Sequence, residues 1–105
     1  MTDNHFQRFL DLLNASPIRH RSVSSYANEL CISPKHLSFI CKKSSGKTAN
    51  QWITEKVVEE IRFYLKQTDL CIKEICDRLN FPNPSFFGKF VKAHLGMTPG
   101  EFRNN

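Results

Sequence analysis

Along the chain, apolar residues return at helical rather than strand spacing. Phe6, Phe9, Leu10 and Leu13 fall at i, i+3, i+4 and i+7. They form one face of a helix predicted over about residues 3–14, with Thr2 as cap candidate and Asn14-Ala-Ser-Pro17 as its stop. Ser22 or Ser24 can cap a second helix that buries Val23, Ala27 and Leu30. Ser33-Pro34 sets an N-cap before a proline at the first helical position. The helix it opens turns Leu37, Ile40 and Cys41 inward and ends before Gly46. Thr48 caps a long helix to about Gln67, its buried side carrying Trp52, Ile53, Val57, Ile61 and either Tyr64 or Leu65. Further helices follow over about 72–79 and 84–95, the second ending at Gly96, and Thr98-Pro99 opens a last short turn. No stretch alternates cleanly and no Asn-Gly hairpin turn occurs. The pattern predicts an all-α fold of about seven helices.

Shifted by about 50 residues, the chain matches itself. Val23 pairs with Ile72, Ala27 with Cys76, Leu30 with Leu79 and Ile32 with Phe81. After one extra residue in the second turn, Leu37 pairs with Phe87, Ile40 with Phe90 and Cys41 with Val91. The match continues through Lys42 and Lys92, Gly46 and Gly96, Thr48 and Thr98, and Trp52 and Phe102. Each unit is a short helix, a turn, and a second helix ending at glycine, which is the helix-turn-helix layout. Ala27 and Cys76 are small where two helices would cross closely. Asn80 precedes the second turn, where asparagine tolerates the left-handed conformation that ends a helix. Ile32 and Phe81 plug the turns. The second helix of each unit shows an outward face: Lys35, His36, Ser38, Phe39 and Lys42 in one copy, and Ser85, Gly88, Lys89 and Lys92 in the other.

Charge sharpens this picture. The 105 residues make one domain's worth of chain, with 15 Lys and Arg against 10 Asp and Glu and a net charge of +5. No acid lies between Glu29 and Glu55, nor between Asp77 and Glu101, and both outward faces fall inside these windows. A cationic surface segregated in this way favours an anionic polymer as partner. No apolar run approaches the roughly 20 residues of a membrane span, and the N-terminus lacks a signal-peptide core. The expectation is a cytoplasmic protein with no membrane association.

Metal and enzyme chemistry find little support. Cys31, Cys41, Cys71 and Cys76 contain no C-x-x-C, and no paired histidine follows at metal-finger distance. Cys31, Cys41 and Cys76 sit in apolar runs, where free cysteine behaves as a small hydrophobe. The four histidines are scattered. There is no glycine-rich phosphate loop and no G-x-S-x-G. Glu59 and Glu60, with Glu55, read as a solvated helix face. No catalytic residue, cofactor or metal is expected.

Ile72-Lys-Glu-Ile-Cys-Asp-Arg-Leu-Asn-Phe81, Ser85-Phe-Phe-Gly-Lys-Phe-Val-Lys92 and Gly96-Met-Thr-Pro-Gly-Glu-Phe-Arg103 together resemble the C-terminal signature of the AraC/XylS family of bacterial transcription regulators. The first unit matches more loosely through Ala27, Leu30, Ile32-Ser33, Leu37-Ser38, Lys42 and Gly46. The resemblance implies a single DNA-binding domain over the whole chain: a first helix-turn-helix over about 23–46, a linker helix over about 48–67, and a second over about 72–96. Departures from the family pattern are Cys76 for the usual alanine, Asn80 for glycine, Val91 for phenylalanine, and Phe39 for an arginine that often touches bases.

The function this implies is sequence-specific binding of double-stranded DNA, with RNA polymerase as a second candidate partner and the isolated domain monomeric. Lys35, Ser38, Phe39, Ser85, Gly88 and Lys89 are the expected base contacts, and Lys42, Lys43, Lys47 and Lys92 the expected phosphate contacts. Gly88 would let the backbone approach base edges; the alternative is that it only relieves packing and that Lys89 is a solvated charge. Two competing functions remain open: a protein-interaction module built on an apolar patch around Phe39, and a nonspecific architectural DNA binder.

Overall fold

The computed structural model describes residues 4–15, 18 and 20–105. Seven helices follow one another, and no strand occurs among the described residues: α1 (His5–Leu13), α2 (Val23–Glu29), α3 (Pro34–Ser45), α4 (Ala49–Gln67), α5 (Ile72–Arg78), α6 (Pro84–Leu95) and α7 (Pro99–Asn104). The expected cap Thr2 and the Ser16-Pro17 part of the first stop signal lie outside the described residues. Among the described residues, no helix is long and apolar enough to cross a membrane. The chain divides into two compact units, Met1–Lys56 and Val57–Asn105.

In the first unit α3 packs on both α1 and α2. Phe9, Tyr26, Ala27 and Leu37 are wholly buried, and the rings of Phe9 and Tyr26 meet edge to face at 5.5 Å. Val23, expected in the core, is only half-buried, whereas Tyr26 is buried and its hydroxyl donates to the His20 carbonyl at 3.1 Å. Ser22, not Ser24, caps α2, its Oγ accepting from the Ser25 amide at 3.2 Å. Ser33 caps α3 through the His36 amide at 3.0 Å, with Pro34 in the first turn as expected.

The second unit repeats this plan. Ile75, Cys76, Leu79, Phe87 and Val91 are fully buried. Phe81 plugs the turn, its ring 5.0 Å from that of Phe87 and 5.2 Å from that of Phe90. Asn83 caps α6 through the Phe86 amide at 2.8 Å. Thr98 and Glu101 close a capping box on α7, and Thr48 with Gln51 forms the same reciprocal pair at the start of α4. Arg103 ties α7 to the end of α4, donating to the carbonyls of Leu65 at 3.0 Å, Tyr64 at 3.2 Å and Thr68 at 3.4 Å. The last carbonyls of a helix have no partner within it, and at Tyr64 the Thr68 hydroxyl donates as well, at 2.6 Å.

The turns correct one expectation. Cys31 is exposed, not part of a buried apolar run, because it holds a left-handed backbone (φ 60°) that swings its side chain outward. Its counterpart Asn80 has φ 63°. In both units the amide two residues past the C-cap (Leu30, Leu79) returns to the carbonyl of the small buried residue: Ile32 to Ala27 and Phe81 to Cys76, each at 3.0 Å. That is the Schellman closure of a helix end. A second correction concerns Glu60, which is buried at 5% exposure while Glu55 and Glu59 are exposed. Its position, three residues after Val57 and one before Ile61, puts it on the inner arc of α4. Tyr64 and Leu65 are both buried, so no choice between them is needed.

Candidate nucleic-acid interface

On α3, burying Leu37, Ile40 and Cys41 forces the opposite arc outward. Lys35, His36 and Phe39 are exposed there, and Ser38 is half-buried. Phe39 is 60% exposed, a large apolar surface for a helix otherwise lined with polar groups. Lys43 lies 6.0 Å from its ring centroid. Lys42 turns back to the helix end, donating to the Gly46 carbonyl at 3.0 Å. Lys47 sits 2.8 Å from Glu55 and 3.9 Å over the Trp52 ring, so its charge is already met within the unit. An exposed pair of this kind is worth at most about 1 kcal/mol and exchanges readily for another anion.

On α6 the four expected residues converge. Ser85, Gly88, Lys89 and Lys92, with Ala93 and Thr98, line one shallow open groove of about 500 Å3. A Cβ added at Gly88 would meet no atom within 4 Å, so this glycine relieves no crowding inside the chain. Lys89 makes no hydrogen bond or ion pair with the described residues and stands exposed in the groove. Lys92 carries its charge near Glu101, whose carboxyl is held below its ordinary range by the Thr98 amide, then the Thr98 side chain, with Lys92 adding a smaller pull. The acid-free stretch of sequence is therefore not wholly acid-free in space.

Sequence reasoning missed one exposed residue of α6 beside this groove. Phe86 is 50% exposed on the first turn of α6, beside Ser85 and three residues before Lys89. The repeat held the signal, since Phe86 matches His36, which was already placed outward. Composition hid it: one of three phenylalanines among five residues reads as core.

Each unit thus presents the second helix of a helix-turn-helix with a polar, cationic outer arc and an aromatic side chain within it. Residues 26–105 match the helix-turn-helix domain model. The xylose operon regulatory protein of Haemophilus influenzae is 34% identical over 93 residues, covering 84% of this chain and 24% of that protein. The C-terminal domain of the response regulator YesN from Fusobacterium nucleatum superposes with a TM-score of 0.80 at 22% identity, covering 96% of this chain and 99% of that one. A transcriptional regulator from Chromobacterium violaceum with an AraC-type DNA-binding domain gives 0.72 at 22% identity, covering 95% and 89%. The chain belongs to the AraC-type helix-turn-helix family. AraC-type domains are the DNA-binding parts of transcription regulators, and this one spans about a quarter of the length of the xylose regulator it matches. The family is one of regulators, not enzymes.

Proposed function

We propose that this AraC-type domain binds double-stranded DNA sequence-specifically as the DNA-reading module of a cytoplasmic bacterial transcription regulator, with α3 and α6 each entering a major groove. The observation that carries this reading is the α6 groove, where Ser85, Gly88, Lys89 and Lys92 meet in one open, cationic channel. The N-terminal half of a recognition helix faces base edges, which places Ser85, Gly88 and Lys89 on α6 and Lys35, Ser38 and Phe39 on α3 against bases. A lysine donates to guanine O6 and N7, serine pairs with either strand's polar edges, and Phe39 meets a thymine methyl. Lys42, Lys43 and Lys92 lie later in their helices and take phosphate. Lys47 joins them by exchanging Glu55 for a phosphate oxygen. The whole chain acts as one DNA-binding domain and binds as a monomer, with RNA polymerase as a second candidate partner.

The test is a base-substitution scan of a selected duplex by fluorescence anisotropy. Lys89→Ala should cost about 1–3 kcal/mol and relax preference at one or two adjacent positions. Lys92→Ala should weaken all sequences alike and lower the salt slope by about one. Uniform loss for Lys89→Ala would move that residue to the phosphate class and leave specificity to other residues.

A further inference from the structure

We propose that Phe86 is a specificity-determining residue of α6, reading one thymine through its C5-methyl group; this rests on the DNA-binding reading above. Phe86 stands in the first turn of the helix, the turn that meets base edges in a helix-turn-helix. Half of its surface is exposed, beside Ser85 and within a turn of Lys89, which line the groove. The side chain is held rather than loose. Its amide is fixed by the Asn83 cap at 2.8 Å, and its ring lies tilted at 6.4 Å from that of Phe81, which is itself buried against Phe87 and Phe90. A ring so placed offers, beside the groove rather than in its lining, an apolar surface that neither donates nor accepts a hydrogen bond. Among the four base edges of the major groove, only thymine offers an apolar group. Ser85 and Lys89 supply the polar contacts on either side, so the thymine lies next to the base read by Lys89.

The experiment deletes the methyl group and nothing else. Each thymine of a selected duplex is replaced in turn by deoxyuridine, and affinities are measured for the wild-type chain, Phe86→Ser and Phe39→Ser. The wild type should lose about fourfold, the worth of one buried methyl-sized group, at the thymine met by Phe39 and at a second position, the one assigned to Phe86. That second position should adjoin the one relaxed by Lys89→Ala. Phe86→Ser should bind the thymine and deoxyuridine duplexes equally at that position, whereas Phe39→Ser should keep the fourfold difference. The wild-type scan needs no variant to fold, and a thermal melt checks both variants. A preferred duplex with no uridine-sensitive thymine beside the Lys89 position overturns the Phe86 assignment alone, as does a difference that survives Phe86→Ser. The absence of any preferred duplex overturns the DNA-binding reading, and this assignment with it.

Discussion

Gly88→Ala separates stability from function at one atom. Gly88 lies within α6 with an ordinary backbone, since the glycines at positive φ are Gly46 and Gly96. The new Cβ would meet nothing within 4 Å, so no packing cost offsets the backbone entropy recovered. Removing a mid-helix glycine should therefore stabilise the fold by about 0.5–1 kcal/mol. With about 4–8 °C per kcal/mol in domains of this size, Tm should rise by about 2–8 °C. Gly96→Ala has equally open space but φ 80°, and should instead destabilise by about 1–2 kcal/mol. Binding should move the other way for Gly88→Ala. Its methyl would stand in the groove where a base edge approaches the backbone, and crowding of that order costs about 1–3 kcal/mol, or tenfold and more in Kd. Urea or thermal melts and anisotropy at fixed salt on the same preparations give both numbers. A stabilised variant with unchanged affinity and preference would refute the close-approach argument. A destabilised variant would refute the reading of α6 itself.

Arg103→Ala should destabilise the second unit by about 2 kcal/mol in a urea melt, because three carbonyls at and beyond the end of α4 lose a charged donor. Arg103→Lys should recover little of it, since an ammonium on a flexible stem cannot reproduce the guanidinium fork. In native protein near pH 8, Cys31 and Cys71 should react with a thiol reagent, while buried Cys41 and Cys76 react only on unfolding; early reaction at Cys41 would contradict its burial. Burial pushes the Cys41 thiol from 9.0 up to about 11, so the folded state holds that proton more tightly than the unfolded chain. Its stabilising contribution is full below 9.0 and is lost as pH rises through about 11. Alkaline melts of the wild type against Cys41→Ala should show that extra loss in the wild type alone.

The starts of α3, α4 and α7 were the most legible part of this fold, because each depends on a local hydrogen bond between neighbours in sequence. Ser33-Pro34, Thr98-Pro99 and the two terminal glycines needed no tertiary information. The repeat made the second layer legible, since two units solving the same packing problem place Ala27 and Cys76, or Thr48 and Thr98, at matched points. What escaped depends on three-dimensional neighbours. Cys31 looks apolar in sequence, and only its left-handed backbone shows why it faces water. Glu60 looks like its neighbour Glu59, but the 100° step between them moves it to the inner arc. Lys47 sits in an acid-free window yet meets Glu55, just past the window's edge, at 2.8 Å. At α6 the shared outward face of Ser85, Gly88, Lys89 and Lys92 was legible from helical spacing, and the exposure of Phe86 beside it was not.

Base readout by this AraC-type domain means that it distinguishes one duplex from others. Selection from a random-sequence duplex library, followed by competition at physiological salt between the selected duplex and a scrambled one, tests it most directly. A preference of about 10³-fold or more is the predicted result. The affinity should also fall with salt along a log–log slope of about −3.6, from Lys42, Lys43, Lys47 and Lys92 on phosphates. Equal affinity for both duplexes would make this a nonspecific architectural binder, and binding insensitive to salt would contradict the DNA interface altogether.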